Sequence, residues 1–289
     1  MYFGKVLTAM VTPFDREGNL DLDKTTELVN YLLNNGTDGL VIAGTTGESP
    51  TLSHAEKLSL FKHVVEVVDK RVPVIAGTGS NNTEATIQLT KEAEAVGVDA
   101  ALLVTPYYNK PSQQGLLEHF RTVANQTSLP IMLYNIPGRS VVRINPETVI
   151  ELSNISNIVS IKDSTGDLDA ITTIIEHTPD DFSLYSGDDN LTLPILSIGG
   201  TGIVSVAAHI IGDRMQAMIQ AYEQGNVKEA ATIHRSIQPI MKGMFIAPSP
   251  TPVKAALTAK GLDVGKVRLP LIDLSSEEQK KLLEILSWI

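Results

Sequence analysis

The sequence predicts an α/β chain folded as a (β/α)8 TIM barrel with a C-terminal helical appendage. Eight short β-type runs alternate with longer amphipathic segments up to about residue 225, the pattern of a parallel sheet whose strands are joined by helices. A doubly wound open sheet would give a similar alternation. It is the weaker reading because the count reaches eight and no GxGxxG dinucleotide fingerprint follows the first run. At 289 residues and 43% hydrophobic content, the chain can bury one large core.

The β-type runs fall at 5–11, 39–43, 73–76, 100–104, 131–134, 158–162, 183–186 and 203–206. Between them the helices have readable ends. Ser53 and Glu56 form a capping-box pattern before LSLFKHVVEVV, and Thr83 opens a helical run toward Ala95 that Gly97 ends. In the sixth run, alternation puts Ile158, Ser160 and Lys162 on one face and Val159 and Ile161 on the other. Past residue 225, GNVKEAATIHRSIQPIMKGMF, TPVKAALTAKG and SSEEQKKLLEILSWI read as helices, the last with Ser275 and Glu278 as a second capping box. PSPTP between them is expected to be a rigid, turn-like connection. The chain thus divides into a catalytic barrel, 1–224, and a helical region, 225–289.

Charge and composition limit the function. A net charge of −10 without any Lys/Arg cluster argues against nucleic acid or an anionic membrane as partner. With no cysteine, disulfides, thiolate metal sites and cysteine nucleophiles are excluded. The N-terminal MYFGKVLTAMVTPF has no long apolar core and no run approaches membrane-spanning length, so a soluble cytoplasmic protein is expected.

The ends of the runs carry the chemistry. Lys162 closes the sixth, at the mouth where barrel enzymes keep their reacting groups. A lysine held neutral there is a nucleophile toward carbonyls, although a charged residue can also simply end a strand. GTTGESP after the second run brings the Thr45 and Thr46 hydroxyls and several backbone N–H groups, able to hold a carboxylate. VTPYYNKP after the fourth pairs two tyrosines in a loop, suited to a site, an interface or packing beneath the loop. The fifth ends in Tyr134, with Arg139 five residues on: a phenol can shuttle protons and an arginine can clamp a carboxylate, or form a rim salt bridge. Asp188 and Asp189 after the seventh make that part of the rim acidic, or cap the next helix.

Two reaction classes fit poorly. His54, His63, His119, His177, His209 and His234 show no HxH or HExxH spacing for a metal-dependent lyase. A phosphate handle would need a glycine-rich loop after the seventh or eighth run. Gly199, Gly200 and Gly202 instead precede the eighth, at the opposite end of the barrel. A non-catalytic binder would not need lysine, phenols and hydroxyls together.

GTTGES at 44–49, VTPYYNKPSQQG at 104–115, LYNIPGR at 133–139, IVSIKDSTGD at 158–167, SGDD at 186–189 and PSPTPVK at 248–254 resemble the dihydrodipicolinate synthase family over nearly the whole chain. The wider group of class I pyruvate aldolases, including N-acetylneuraminate lyase and 2-keto-3-deoxygluconate aldolase, shares the lysine and the barrel. The twin tyrosines before NKP and the arginine after YNIPG match the synthases better. The resemblance implies condensation of pyruvate with L-aspartate 4-semialdehyde, with no metal or organic cofactor. It implies Lys162 as the Schiff-base residue and Tyr134, Thr45 and Tyr108 as a proton relay, Tyr108 entering from a neighbouring subunit of a homotetramer. Thr46 and Val204 would contact pyruvate, Gly187 would line the site and Arg139 would hold the semialdehyde carboxylate. Lysine-inhibited members resemble this chain at Ser49, His54, Asn81 and Tyr107 but carry a glutamate at the position of Ala85 and usually an alanine at that of Pro50. Weak or absent feedback by lysine is therefore expected.

Overall fold

The computed structural model describes residues 2–288. Strands β1 (Val6–Ala9), β2 (Gly39–Ile42), β3 (Val74–Gly77), β4 (Ala100–Val104), β5 (Ile131–Asn135), β6 (Ile158–Asp163), β7 (Ser183–Ser186) and β8 (Gly202–Ser205) close in sequence order into one parallel barrel. Helices α1 (Leu22–Asn34), α2 (His54–Val68), α3 (Thr83–Val96), α4 (Gln113–Ala124), α5 (Pro137–Ser140), α6 (Pro146–Leu152), α7 (Leu168–His177), α8 (Thr192–Ser197) and α9 (Ala208–Glu223) lie between and after the strands. The expected fold and strand order hold, with boundaries moved by one or two residues. Gly202 begins β8 rather than preceding it.

Alternation along the strands builds two apolar layers. Leu7, Val41, Ile75, Leu102, Met132, Tyr185 and Val204 fill the barrel, while residues such as Val6, Leu40, Leu103 and Ile161 face the helices. Phe3 packs into the inner layer and its N–H donates to the buried Tyr185 hydroxyl at 3.1 Å.

Strand β6 departs from strict alternation. Its register against β5 runs Ile131↔Ile158 and then Met132↔Ser160, leaving Val159 as an extra residue, a β-bulge. Ile158 consequently joins the outer layer and Val159 packs against the inner one. The expectation that Ile158 shares a face with Ser160 and Lys162 is corrected by this bulge. Beyond it the pairing is regular, Tyr134↔Lys162 and Asn135↔Asp163.

Both expected capping boxes form, Ser53 with Glu56 and Ser275 with Glu278. The cap of α3 is Asn82, whose side chain accepts from the Ala85 N–H, and Gly97 ends the helix at φ 95°. Helices α10 (Val227–Gly243), α11 (Thr251–Ala259) and α12 (Ser276–Leu286) form the C-terminal region. Only residues 248–250 of PSPTP are connection: Pro252 lies in the first turn of α11, where its missing N–H costs no helical bond. Among the described residues no helix is long and apolar enough to cross a membrane.

Candidate active site

The loops after the strands meet at one end of the barrel around a cleft of about 280 Å³. Its walls include Gly44 and Thr45 after β2, Ser80 after β3, Val104 and Tyr107 from β4 and its loop, and Tyr134 and Arg139 from β5 and α5. Lys162 does not line the cleft but lies beside this wall. It is 6% exposed, paired in register with Tyr134 on one side and Tyr185 on the other, with Nζ 4.1 Å from the centroid of the Tyr134 ring. A lysine stem enclosed by barrel side chains delivers its amine to one defined place.

Close approach also explains Gly187. A Cβ there would collide with Ser164 Oγ and stand 3.0 Å from Lys162 Cε, so a side chain would displace the lysine or its neighbour. Ser160 and Ser164, two residues to either side of Lys162, each have a buried hydroxyl without a partner in the structure.

Neighbouring residues fix the strand ends. Asp163 accepts from the Thr165 N–H at 2.8 Å, the Thr165 hydroxyl at 2.5 Å and Asn135 Nδ2 at 3.2 Å, and burial raises its pKa. Asn135 also donates to the Ile144 carbonyl and accepts from the Ile144 N–H, each at 3.0 Å, joining β5, β6 and the loop between them. Asp188 is raised by burial against the opposing pull of Lys162. Asp189 does not cap the helix after it. It is buried, accepts from the Ser205 hydroxyl and from the N–H groups of Val206 and Ala207, and burial pushes it up to about 6.

Thr45, Tyr134 and Arg139 thus line the cleft together. Arg139 is exposed; the ion pairs of arginine among the described residues belong to Arg121, Arg143 and Arg268, so the rim salt bridge is not what holds it. Thr46 and Val204 are buried at 5% and 1% and do not line the cleft. Tyr108 is not packed beneath its loop. It is 88% exposed with φ 74°, a left-handed backbone that side chains rarely adopt. Lys57 of α2, which nothing in the sequence singles out, lines the cleft with no partner among the described residues, and burial lowers the pKa of its amine. Among those residues no group of three or more His, Asp or Glu is placed to hold a metal ion.

A profile described as the dihydrodipicolinate synthetase family matches residues 2–289. The chain is 62% identical over 282 residues to 4-hydroxy-tetrahydrodipicolinate synthase 2 of Halalkalibacterium halodurans, covering 98% of this chain and 97% of that one. It superposes on a dihydrodipicolinate synthase from Bacillus anthracis with a TM-score of 0.99 at 59% identity, covering 100% and 99% of the two chains. It is also similar to the lysine-bound synthase from Cyanidioschyzon merolae, at a TM-score of 0.97 and 45% identity over 99% and 98% of the chains.

Proposed function

The chain belongs to the dihydrodipicolinate synthetase family, and on that premise we propose how its own residues carry the family's reaction. It is a lyase of the class I aldolase type that condenses pyruvate with L-aspartate 4-semialdehyde to 4-hydroxy-tetrahydrodipicolinate, the first committed step of diaminopimelate and lysine biosynthesis. The similarity to named synthases favours this over N-acetylneuraminate or 2-keto-3-deoxygluconate cleavage.

In this reading the neutral Lys162 amine attacks the pyruvate carbonyl, the carbinolamine loses water, and an imine forms. The imine makes the pyruvate methyl acidic; its proton leaves through Tyr134, Thr45 and Tyr108, and the enamine adds to the aldehyde carbon. The semialdehyde's amine then attacks the imine carbon, closes the ring and releases Lys162. Thr46, Val204 and Gly187 shape the pyruvate end, and Arg139, exposed at the rim and without an ion pair among the described residues, takes the semialdehyde carboxylate. Residues 1–224 carry the chemistry and 225–289 support it. Tyr108 serves the site of a neighbouring subunit in a cytoplasmic homotetramer.

The observation that carries the assignment is Lys162, buried at the mouth against the Tyr134 ring. Borohydride added with pyruvate should reduce the imine, and mass spectrometry should find the adduct on Lys162. An adduct on a different lysine, or full activity in Lys162→Ala, would sink the mechanism.

A further inference from the structure

The loop bearing Thr45 and Thr46 is held from outside the barrel. Its turn is tight: at Gly47 a Cβ would meet Ala43 N at 3.0 Å, and Glu48 has a left-handed φ of 55°. Such a backbone persists in a side-chain-bearing residue only where its surroundings hold it. The Glu48 N–H closes the turn on the Thr45 carbonyl at 3.1 Å. Its carboxylate leaves the loop and enters the C-terminal region. Oε1 lies 2.7 Å from Lys254 Nζ on α11, and Oε2 accepts from the Arg268 N–H at 2.8 Å. The two charged side chains are 1% and 3% exposed. Lys254 Nζ also donates to the Lys266 carbonyl at 3.0 Å and lies 4.2 Å from the centroid of the Phe14 ring.

We propose that Lys254 is a positioning residue for the reaction, acting through Glu48 to aim the Thr45 hydroxyl at the substrate. The proposal rests on the reading of Thr45 as a member of the proton relay. Against the cost of taking both charges out of water, such a pair gains little net stability, and apolar residues of similar size could hold α11 to the loop. What an ion pair at one carboxylate oxygen and a backbone hydrogen bond at the other add is a fixed place for the Glu48 side chain, and with it an orientation of the turn and of the Thr45 hydroxyl just before it. Misplacing a reacting group by a fraction of a bond length slows the chemistry more than it weakens binding.

The test compares Lys254→Met, Glu48→Gln and Thr45→Ala, alone and with each charge variant in the Thr45→Ala background. Folding is followed by circular dichroism, and kcat and KM are measured for both substrates. Lys254→Met and Glu48→Gln should each lower kcat about tenfold in folded enzyme while KM for pyruvate moves less than about threefold. Adding either to Thr45→Ala should leave kcat where Thr45→Ala alone put it. If Lys254→Met does not fold, the nearly isosteric Glu48→Gln gives the same readings. Unchanged kcat in the folded charge variants overturns the proposal, as do losses that multiply with that of Thr45→Ala. Full kcat in Thr45→Ala would overturn the relay assignment and the proposal with it.

Discussion

Ala85 stands exposed in the first turn of α3, its N–H bonded to the Asn82 side chain at 3.0 Å. A lysine molecule binding between Ser49, Tyr107 and this turn would need an anionic or carbonyl partner for its ammonium group, and Ala85 offers none. Glu84 is a poor substitute, since one residue along a helix turns a side chain by about 100°. Pro50 removes a backbone donor from the same rim, and His54 is already engaged with Glu92 at 2.5 Å. The cation of Lys57 in the cleft wall adds repulsion that the sequence did not foretell. L-lysine at millimolar concentration should therefore inhibit weakly or not at all. Strong inhibition, with binding seen by calorimetry, would show that Ala85 and Lys57 do not govern the rim.

At the junction of β8 and α9, His209 is fully buried, donating from Nδ1 to the Val206 carbonyl at 2.8 Å and accepting at Nε2 from the Val11 N–H at 3.1 Å. Burial lowers its pKa to about 4 from an ordinary 6.5. Between those values the unfolded chain takes up a proton that the folded one refuses, so stability falls as pH drops from 6.5 toward 4. The loss reaches about 3 kcal/mol for this residue. Asp189, raised to about 6, works in the opposite sense, so the contribution is read as a difference. Urea midpoints should decline less steeply over this window in His209→Gln than in the parent; equal slopes would refute the assignment. Much of this architecture was legible in the sequence. Eight apolar runs, two capping boxes and the lysine closing the sixth run are local patterns, and the structure keeps them. The bulge at Val159 was not, because it exists only in register with β5. Nor was the burial of His209 or Lys254: each looks like a polar residue on a helix, and each is paid for by partners distant in sequence, Val11 for one and Glu48 for the other.

Over the whole molecule, the exposed Tyr108 with its strained backbone is a surface feature that suits contact with a second copy of the chain better than free solvent. If it completes a neighbour's relay, mixing inactive Tyr108→Phe with inactive Lys162→Ala should restore part of the activity, since a hybrid dimer can assemble one intact site. No recovery under proven subunit exchange would count against sharing. The distance along the chain between the Thr45 loop and its anchor has a consequence for biosynthesis. Thr45 and Glu48 leave the ribosome well before Lys254 and Arg268 are made. At roughly 5–20 residues per second, the nascent loop waits on the order of 10–40 s for its partners. If Lys254 aims Thr45 as proposed, a chain released short of Lys254 would carry Lys162, Tyr134 and Thr45 yet lack the contact that orients the Thr45 loop.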